Sequence, residues 1–422
     1  MIDCIDLGRK AKAAAKLLAV IPSEKKDKTL HMLAALLEQE GDSVVEANQR
    51  DIQSAQEAGL SDILIDRMRI TDTTLSEMAD EVRKVAQLAD PVGSQFDQKI
   101  LENGLRVRKQ HVPIGVLAVI YESRPNVTVD IFSLALKSGN AVILRGGKEA
   151  MHTNHSLVNL INAAIESQGL PKAAVQFIDS EDRDLVLSLL QMHEYIDMLI
   201  PRGGAGLHKF CRENSRIPVI TGGIGICHLF VDETADQEKA IPVIHNAKTQ
   251  RPSVCNALDT LLVHADIAEV FIPKVMAALA ADGVSFRLCP DAMQIVKGLP
   301  ALLPYCQPAG ENDFDTEWLS LTLGIRVMDN VEEAIAHIQL HSTGHSDGIL
   351  TETQEHANRF ISVVDSAVVY VNASTRFTDG GQLGLGAEVA VSTQRLHARG
   401  PMGLEELTTY KWVIQGENHV RE

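Results

Sequence analysis

At 422 residues the chain is long enough for two to three domains, each with a substantial core. Hydrophobic residues make up 45% of it and charged residues 23%, the balance of an ordinary soluble globular protein, which excludes collagen-like, disordered and disulfide-scaffold classes. Thirty-nine Lys and Arg against 56 Asp and Glu give a formal net charge of −17, so nucleic acid is not an expected partner and any local basic cluster stands out.

The opening ten residues, Met1 to Lys10, place acids before bases and carry no apolar stretch of a signal peptide. No run approaches the 18 apolar residues of a membrane span, so a cytoplasmic protein without membrane contact is expected. The six cysteines (Cys4, Cys211, Cys227, Cys255, Cys289, Cys306) form no CxxC pair, which argues against structural zinc and for a reducing compartment. Neither HExxH nor His-x-His occurs, and Gly344 and Gly348 assign His341 and His345 to a loop, so no metal site is expected.

Residues 1–97 read as helices, with apolar positions at helical spacing in Thr29-Leu-His-Met-Leu-Ala-Ala-Leu-Leu-Glu and Ser61 placed to cap a further helix. Asn103-Gly104, between alternating segments of residues 101–112, is a strong hairpin signal. From Pro113 the pattern changes. Ile114 to Tyr121 is a continuous apolar run fit for a buried parallel strand, followed by a helix over 130–139, a strand over 141–144 and a helix over 155–168. A strand over 174–178, a helix over 182–192 and a strand over 196–200 complete the alternation, which implies βαβ units on a parallel sheet. A new block opens at Leu229 with a strand, a helix over 236–249, a strand from Leu258, and further helices and strands to about residue 390. The β-rich tail Leu407 to Ile414 needs a distant pairing partner.

Four loops at strand ends carry chemistry. Leu144-Arg-Gly-Gly-Lys148 brings two cations to the carboxyl end of a strand, where a parallel sheet binds phosphates; a 2′-phosphate suits that charge, and a solvated basic loop is the equal alternative. Ile200-Pro-Arg-Gly-Gly-Ala-Gly lets backbone approach a pyrophosphate but is not GxGxxG, so a ligand-free turn explains it as well. Glu122-Ser-Arg-Pro-Asn-Val-Thr128 offers a cation, an amide and hydroxyls, or simple helix capping. In Lys248-Thr-Gln-Arg-Pro-Ser-Val-Cys-Asn256, Lys248 and Arg251 are neighbours that lower a thiol pKa, which makes Cys255 a nucleophile or a structural cysteine; the other five read as packing or surface.

The order of these parts, with Thr221-Gly-Gly and a Gly-rich segment after Asn372, resembles the aldehyde dehydrogenase superfamily. Tyr121 to Thr128, Ile200 to Gly204, Arg251 to Ala257 and Tyr370 to Gly380 are similar to its γ-glutamyl phosphate reductase branch, over nearly the whole chain. The resemblance implies an α/β fold of two open parallel-sheet domains plus a small β oligomerisation flap. Its expected division is 1–97 and 113–228 for an NADPH-binding domain, 229–392 for a catalytic domain with Cys255, and 98–112 and 405–422 for the flap.

The implied activity is NADPH-dependent reduction of L-glutamate 5-phosphate to L-glutamate 5-semialdehyde and phosphate through a cysteine thioester, in proline biosynthesis. Reduction of another acyl phosphate or an acyl-CoA is the alternative. Cys255 takes the catalytic position. Arg145, Gly146, Gly147 and Lys148, with Gly203, Gly204 and the ribose-contacting Glu317, take the cofactor. Arg124, Arg251, Ser374, Thr375 and Arg376 are candidate substrate contacts. Aldehyde-oxidising relatives carry a water-activating Glu where this chain has Ile220, which suits a reductase that must keep its thioester. For the oxyanion side chain, counting from the strand gives Arg124 and chemistry favours Asn126. A homo-oligomer, dimer or tetramer, and functional coupling to glutamate kinase complete the implied partners.

Overall fold

The computed structural model describes residues 3–180 and 182–421. The chain divides into two compact units, one of residues up to 221 with 384–390 and 402–422, the other of residues 222–383 with 391–401.

The first unit begins with five helices, Cys4–Leu18, Ser23–Gln39, Asp42–Glu57, Asp62–Met68 and Asp72–Gln87. In the second of these Leu30, Leu33, Ala34 and Leu37 are wholly buried at the i, i+3, i+4, i+7 spacing of an apolar stripe. Ser61 stands at the fourth helix's cap position, but its side chain makes no capping bond. Four parallel strands follow, lying in the order Val175–Phe177, Ala141–Arg145, Val116–Tyr121, Met198–Arg202. All six residues of Val116–Tyr121 are buried, as a run covered on both faces requires.

Two crossover helices begin earlier than periodicity predicts. The first spans Asn126–Lys137, because Pro125 already has helical backbone angles and starts the turn. The second spans Met151–Ser167, because Asp51 reaches across from another helix and accepts the His152 and Thr153 N–H groups at 3.2 and 2.7 Å. Two buried lysines bind this layer to the N-terminal helices. Lys26 pairs with Asp90 at 2.8 Å and donates to the Lys137 carbonyl, while Lys137 pairs with Asp27 and donates to the Ala86 carbonyl. Removing one partner of such a pair strands a desolvated charge.

Gln95–Ile100, Arg106–Pro113 and Thr408–Gln415 form a three-stranded antiparallel sheet with Arg106–Pro113 at its centre. The predicted turn is present: Gly104 has φ +87 and the Asn103 side chain accepts the Leu105 N–H at 3.2 Å. The tail finds its partner in register from Thr408 opposite Pro113 to Gln415 opposite Arg106. Lys109 lies over the Tyr410 and Trp412 rings at 4.7 and 5.1 Å.

The second unit is a seven-stranded parallel sheet in the order Cys306–Pro308, Ser285–Leu288, Thr322–Met328, Leu258–His264, Cys227–Val231, Ser346–Leu350, Val368–Val371. Cys227–Val231 belongs to this sheet, so the boundary falls at 221/222 and not after residue 228. Residues 391–401 stay with this unit beyond the expected end at 392. The flap and tail group with the first unit, to which the Asn140 side chain ties the Leu407 carbonyl at 2.9 Å. Among the described residues no helix is long and apolar enough to cross a membrane.

Candidate functional site

In the first unit the loops after Val116–Tyr121, Ala141–Arg145 and Met198–Arg202 all leave the carboxyl ends of parallel strands. Two carboxylates staple them together. Glu122 accepts the Gly204 N–H at 3.0 Å, and Glu149 accepts both the N–H and the hydroxyl of Ser123 at 2.7 and 2.8 Å. Ser123 is held at φ +45, a conformation uncommon outside glycine. Sequence reasoning assigned neither glutamate a role. The acid beside each basic motif was the available signal.

The first two of these loops border a cleft of about 520 Å³ lined by Glu122, Ser123, Arg145, Gly147, Lys148 and Glu149, with Leu60 and Leu64 supplying an apolar wall. Gly146 lies beneath: a Cβ there would come within 2.3 Å of the Asn154 amide nitrogen, and one on Gly147 within 2.2 Å of the Glu149 carboxylate. The loop therefore presents backbone where side chains do not fit, next to two cations, which is the donor set a phosphorylated nucleotide takes. Gly203 and Gly204 adjoin Glu122.

Asn126 opens its helix and donates from its amide to Asp130 at 2.9 Å. Desolvation pushes the Asp130 carboxyl up to about 6, against the pull of the Asn126 bond and the Arg202 charge. Ile220 is buried, and its N–H donates to the Leu199 carbonyl at 2.8 Å; no carboxylate stands at that position of the chain.

In the second unit Cys255 lies in the turn between the helix Gln237–Thr249 and the strand Leu258–His264. The Cys227 thiol donates to the Cys255 carbonyl at 3.2 Å, and the Gly225 N–H donates to Glu317 at 2.9 Å. Burial raises the Glu317 carboxyl while that N–H lowers it. Asn256 locks the turn to the 372–380 loop. Its amide donates to the Thr378 carbonyl at 2.9 Å, its backbone carbonyl accepts the Thr375 hydroxyl at 2.7 Å, and its side-chain oxygen accepts Arg376. Arg376 also donates to Gln250 at 2.9 Å.

The charge near the thiol differs from the sequence expectation. Lys248 is fully buried, donates to the Leu258 carbonyl at 2.7 Å and pairs with Asp259 at 3.6 Å, so its ammonium is committed there. Burial lowers Lys248 and pushes Asp259 up to about 7, each opposed by the other's charge. Arg376 is a cation coupled to Cys255: burial and then Arg251 lower its pKa, while Asp379 and Cys255 hold it up. Ser374 and Thr375 are also spent locally. Both are buried; Ser374 accepts the Arg376 N–H at 3.3 Å and Thr375 donates to the Asn256 carbonyl.

The other cysteines have structural settings. Burial pushes the Cys211 thiol up to about 11 and raises Cys4, Cys227 and Cys306; Cys289 caps a helix through its contact with the Ala292 N–H at 3.5 Å. Glu233, His264 and Asp266 bring donor atoms within 4.8 Å of one another, but His264 Nδ1 accepts the Asp266 N–H there as a helix cap.

A family model described as the aldehyde dehydrogenase family matches residues 3–285. The chain is 57% identical over 420 residues to the γ-glutamyl phosphate reductase of Psychromonas ingrahamii, covering 100% of both chains. It is 55% identical over 415 residues to that of Cronobacter sakazakii, covering 98% of this chain and 99% of the relative. The crystal structure of γ-glutamyl phosphate reductase from Thermotoga maritima superposes with a TM-score of 0.96 at 46% identity, covering 100% of both chains.

Proposed function

The chain belongs to the aldehyde dehydrogenase family, on its γ-glutamyl phosphate reductase branch, and from that premise we propose that it reduces L-glutamate 5-phosphate to L-glutamate 5-semialdehyde and phosphate with NADPH. It is an oxidoreductase of proline biosynthesis. The observation that carries the mechanism is the pinned turn of Cys255, with the Arg376 charge coupled to it.

In this scheme the Cys255 thiolate attacks the carbonyl carbon of the acyl phosphate, forming the thioester and breaking the acyl C–O bond to phosphate, and Arg376 favours the thiolate electrostatically. Asn126, its amide oriented by Asp130, is the side-chain donor for the oxyanion in preference to Arg124. Phosphate is a good leaving group, and Arg251, Arg376 and Arg124 are the cations assigned to the anionic ends of the substrate. The thioester on Cys255 persists because Ile220 offers no base to activate water.

Arg145, Lys148 and the backbone of Gly146, Gly147, Gly203 and Gly204 would hold NADPH, with Lys148 on its 2′-phosphate and Glu317 on a ribose. When bound, NADPH supplies the hydride that reduces the thioester. The resulting thiohemiacetal collapses to the aldehyde, returning Cys255 as a thiolate. A homo-oligomer joined through the antiparallel flap, a cytoplasmic location and functional coupling to glutamate kinase belong to the same proposal.

The test combines the chain with a glutamate kinase, glutamate, ATP and NADPH. The expected result is kinase-dependent loss of NADPH with cyclisation of the semialdehyde, abolished in Cys255→Ala. Turnover by Cys255→Ala, or turnover of an acyl-CoA in place of glutamyl phosphate, would overturn the reading.

A further inference from the structure

We propose that Thr378 is a positioning residue for Cys255, holding Asn256 and hence the nucleophile's turn through a buried hydroxyl chain that anchors Thr378 to Ser346, Tyr370 and His345. The inference rests on Cys255 being the nucleophile.

Thr378 has a carbonyl and a hydroxyl pointing to different tasks. The carbonyl accepts the Asn256 amide at 2.9 Å, one residue from Cys255. The hydroxyl lies 2.6 Å from Ser346 Oγ and 2.7 Å from the Tyr370 phenol, and Ser346 Oγ lies 2.8 Å from His345 Nδ1. All four residues are buried. With His345 neutral and its Nδ1 accepting, the chain can run in one direction: Tyr370 donates to Thr378, Thr378 to Ser346 and Ser346 to His345, so that the Thr378 and Ser346 hydroxyls each donate once and accept once. Burial favours that neutral imidazole, pushing His345 down to about 4.

Ser346 and Tyr370 belong to adjacent strands of the seven-stranded sheet. The chain therefore transfers the rigidity of the sheet to a loop that has little regular structure of its own. Asn256 passes it on in two directions, since the amide that meets Thr378 shares its side chain with the oxygen that holds Arg376. A loop released from the sheet would shift both Cys255 and the guanidinium that favours its thiolate. Valine at 378 keeps the shape of threonine and the backbone carbonyl but removes the hydroxyl, so it tests the anchor and not the fold.

The experiment follows alkylation of Cys255 by iodoacetamide against pH, by peptide mapping of the full chain, together with kcat and KM. Thr378→Val is expected to slow alkylation at neutral pH about tenfold with a higher apparent pKa, and to lower kcat about tenfold with KM for the acyl phosphate within about twofold. Thr378→Ser is expected to restore both to within about threefold of the parent. A folded Thr378→Val with the parent's alkylation profile and kcat, or failure of Thr378→Ser to rescue, overturns the proposal. Should Thr378→Val not fold, Tyr370→Phe removes a single link and must move the profile in the same direction; an unchanged profile overturns it equally. Cys255→Ala run in parallel separates the two layers: if it turns over, the nucleophile assignment fails, and if it is inert while Thr378→Val behaves as the parent, only the positioning role fails.

Discussion

Gly225 and Cys255 are in backbone contact: a Cβ on residue 225 would stand 1.5 Å from the Cys255 carbonyl oxygen and 3.2 Å from its Cα. The glycine's own N–H is spent on Glu317, so residue 225 cannot retreat without breaking a second contact of the site. The depth at which the nucleophile lies is thus set by the absence of one methyl group.

Gly225→Ala must push the Cys255 turn outward. It is expected to lower kcat/KM about 100-fold, the cost of a displacement near 1 Å in a reacting group, with an overpacking penalty of about 1–3 kcal/mol. Steady-state kinetics and a thermal melt check it. A fully active alanine variant would show that the turn is soft.

Lys148→Glu replaces a cation of the cleft by a carboxylate. KM for NADPH is expected to rise about tenfold or more while KM for NADH changes by less than about threefold, because only NADPH brings a 2′-phosphate to meet that charge. Equal losses for both cofactors would remove Lys148 from the 2′-phosphate.

Glu149→Ala frees the Ser123 N–H and hydroxyl, and Ser123 holds a φ of +45 only while its surroundings impose it. Cofactor KM is expected to rise about threefold to tenfold with a smaller change in the acyl-phosphate KM. Glu149→Gln retains an acceptor oxygen and is expected to fall between alanine and the parent. Cofactor titrations by fluorescence check the order.

His337 is buried between the His228 and Phe314 rings, each 5.4 Å away, with His341 at 4.3 Å. Burial, then the His228, His341 and Arg326 charges, push it down to about 2. Unfolding returns it to its ordinary value near 6.5, so below that pH the unfolded chain binds a proton the folded one refuses, and stability falls as pH falls. His337→Phe is expected to lose stability between pH 6.5 and 4.5 less steeply than the parent, by about 1.4 kcal/mol per pH unit. Denaturant midpoints of the two proteins across that interval measure it, and parallel slopes would place the titration elsewhere.

What the sequence determined by itself is local or motif-borne. The parallel strands were legible because Val116–Tyr121 and its neighbours are unbroken apolar runs, the hairpin because Asn103-Gly104 has a backbone preference of its own, and the family because long motifs stand in order along the chain. Tertiary structure decided what depends on residues far apart. Asp51 starts a helix a hundred residues away, and Glu122 and Glu149 staple loops whose basic residues had drawn attention instead. Lys248, seven residues before Cys255, is committed to Asp259, and Arg376, more than a hundred residues beyond, is a cation coupled to the thiol. Sequence neighbours share a backbone but a helix points them in different directions, whereas the field at a thiol depends on distance and burial. Those two quantities exist only once the sheet has brought the loops together.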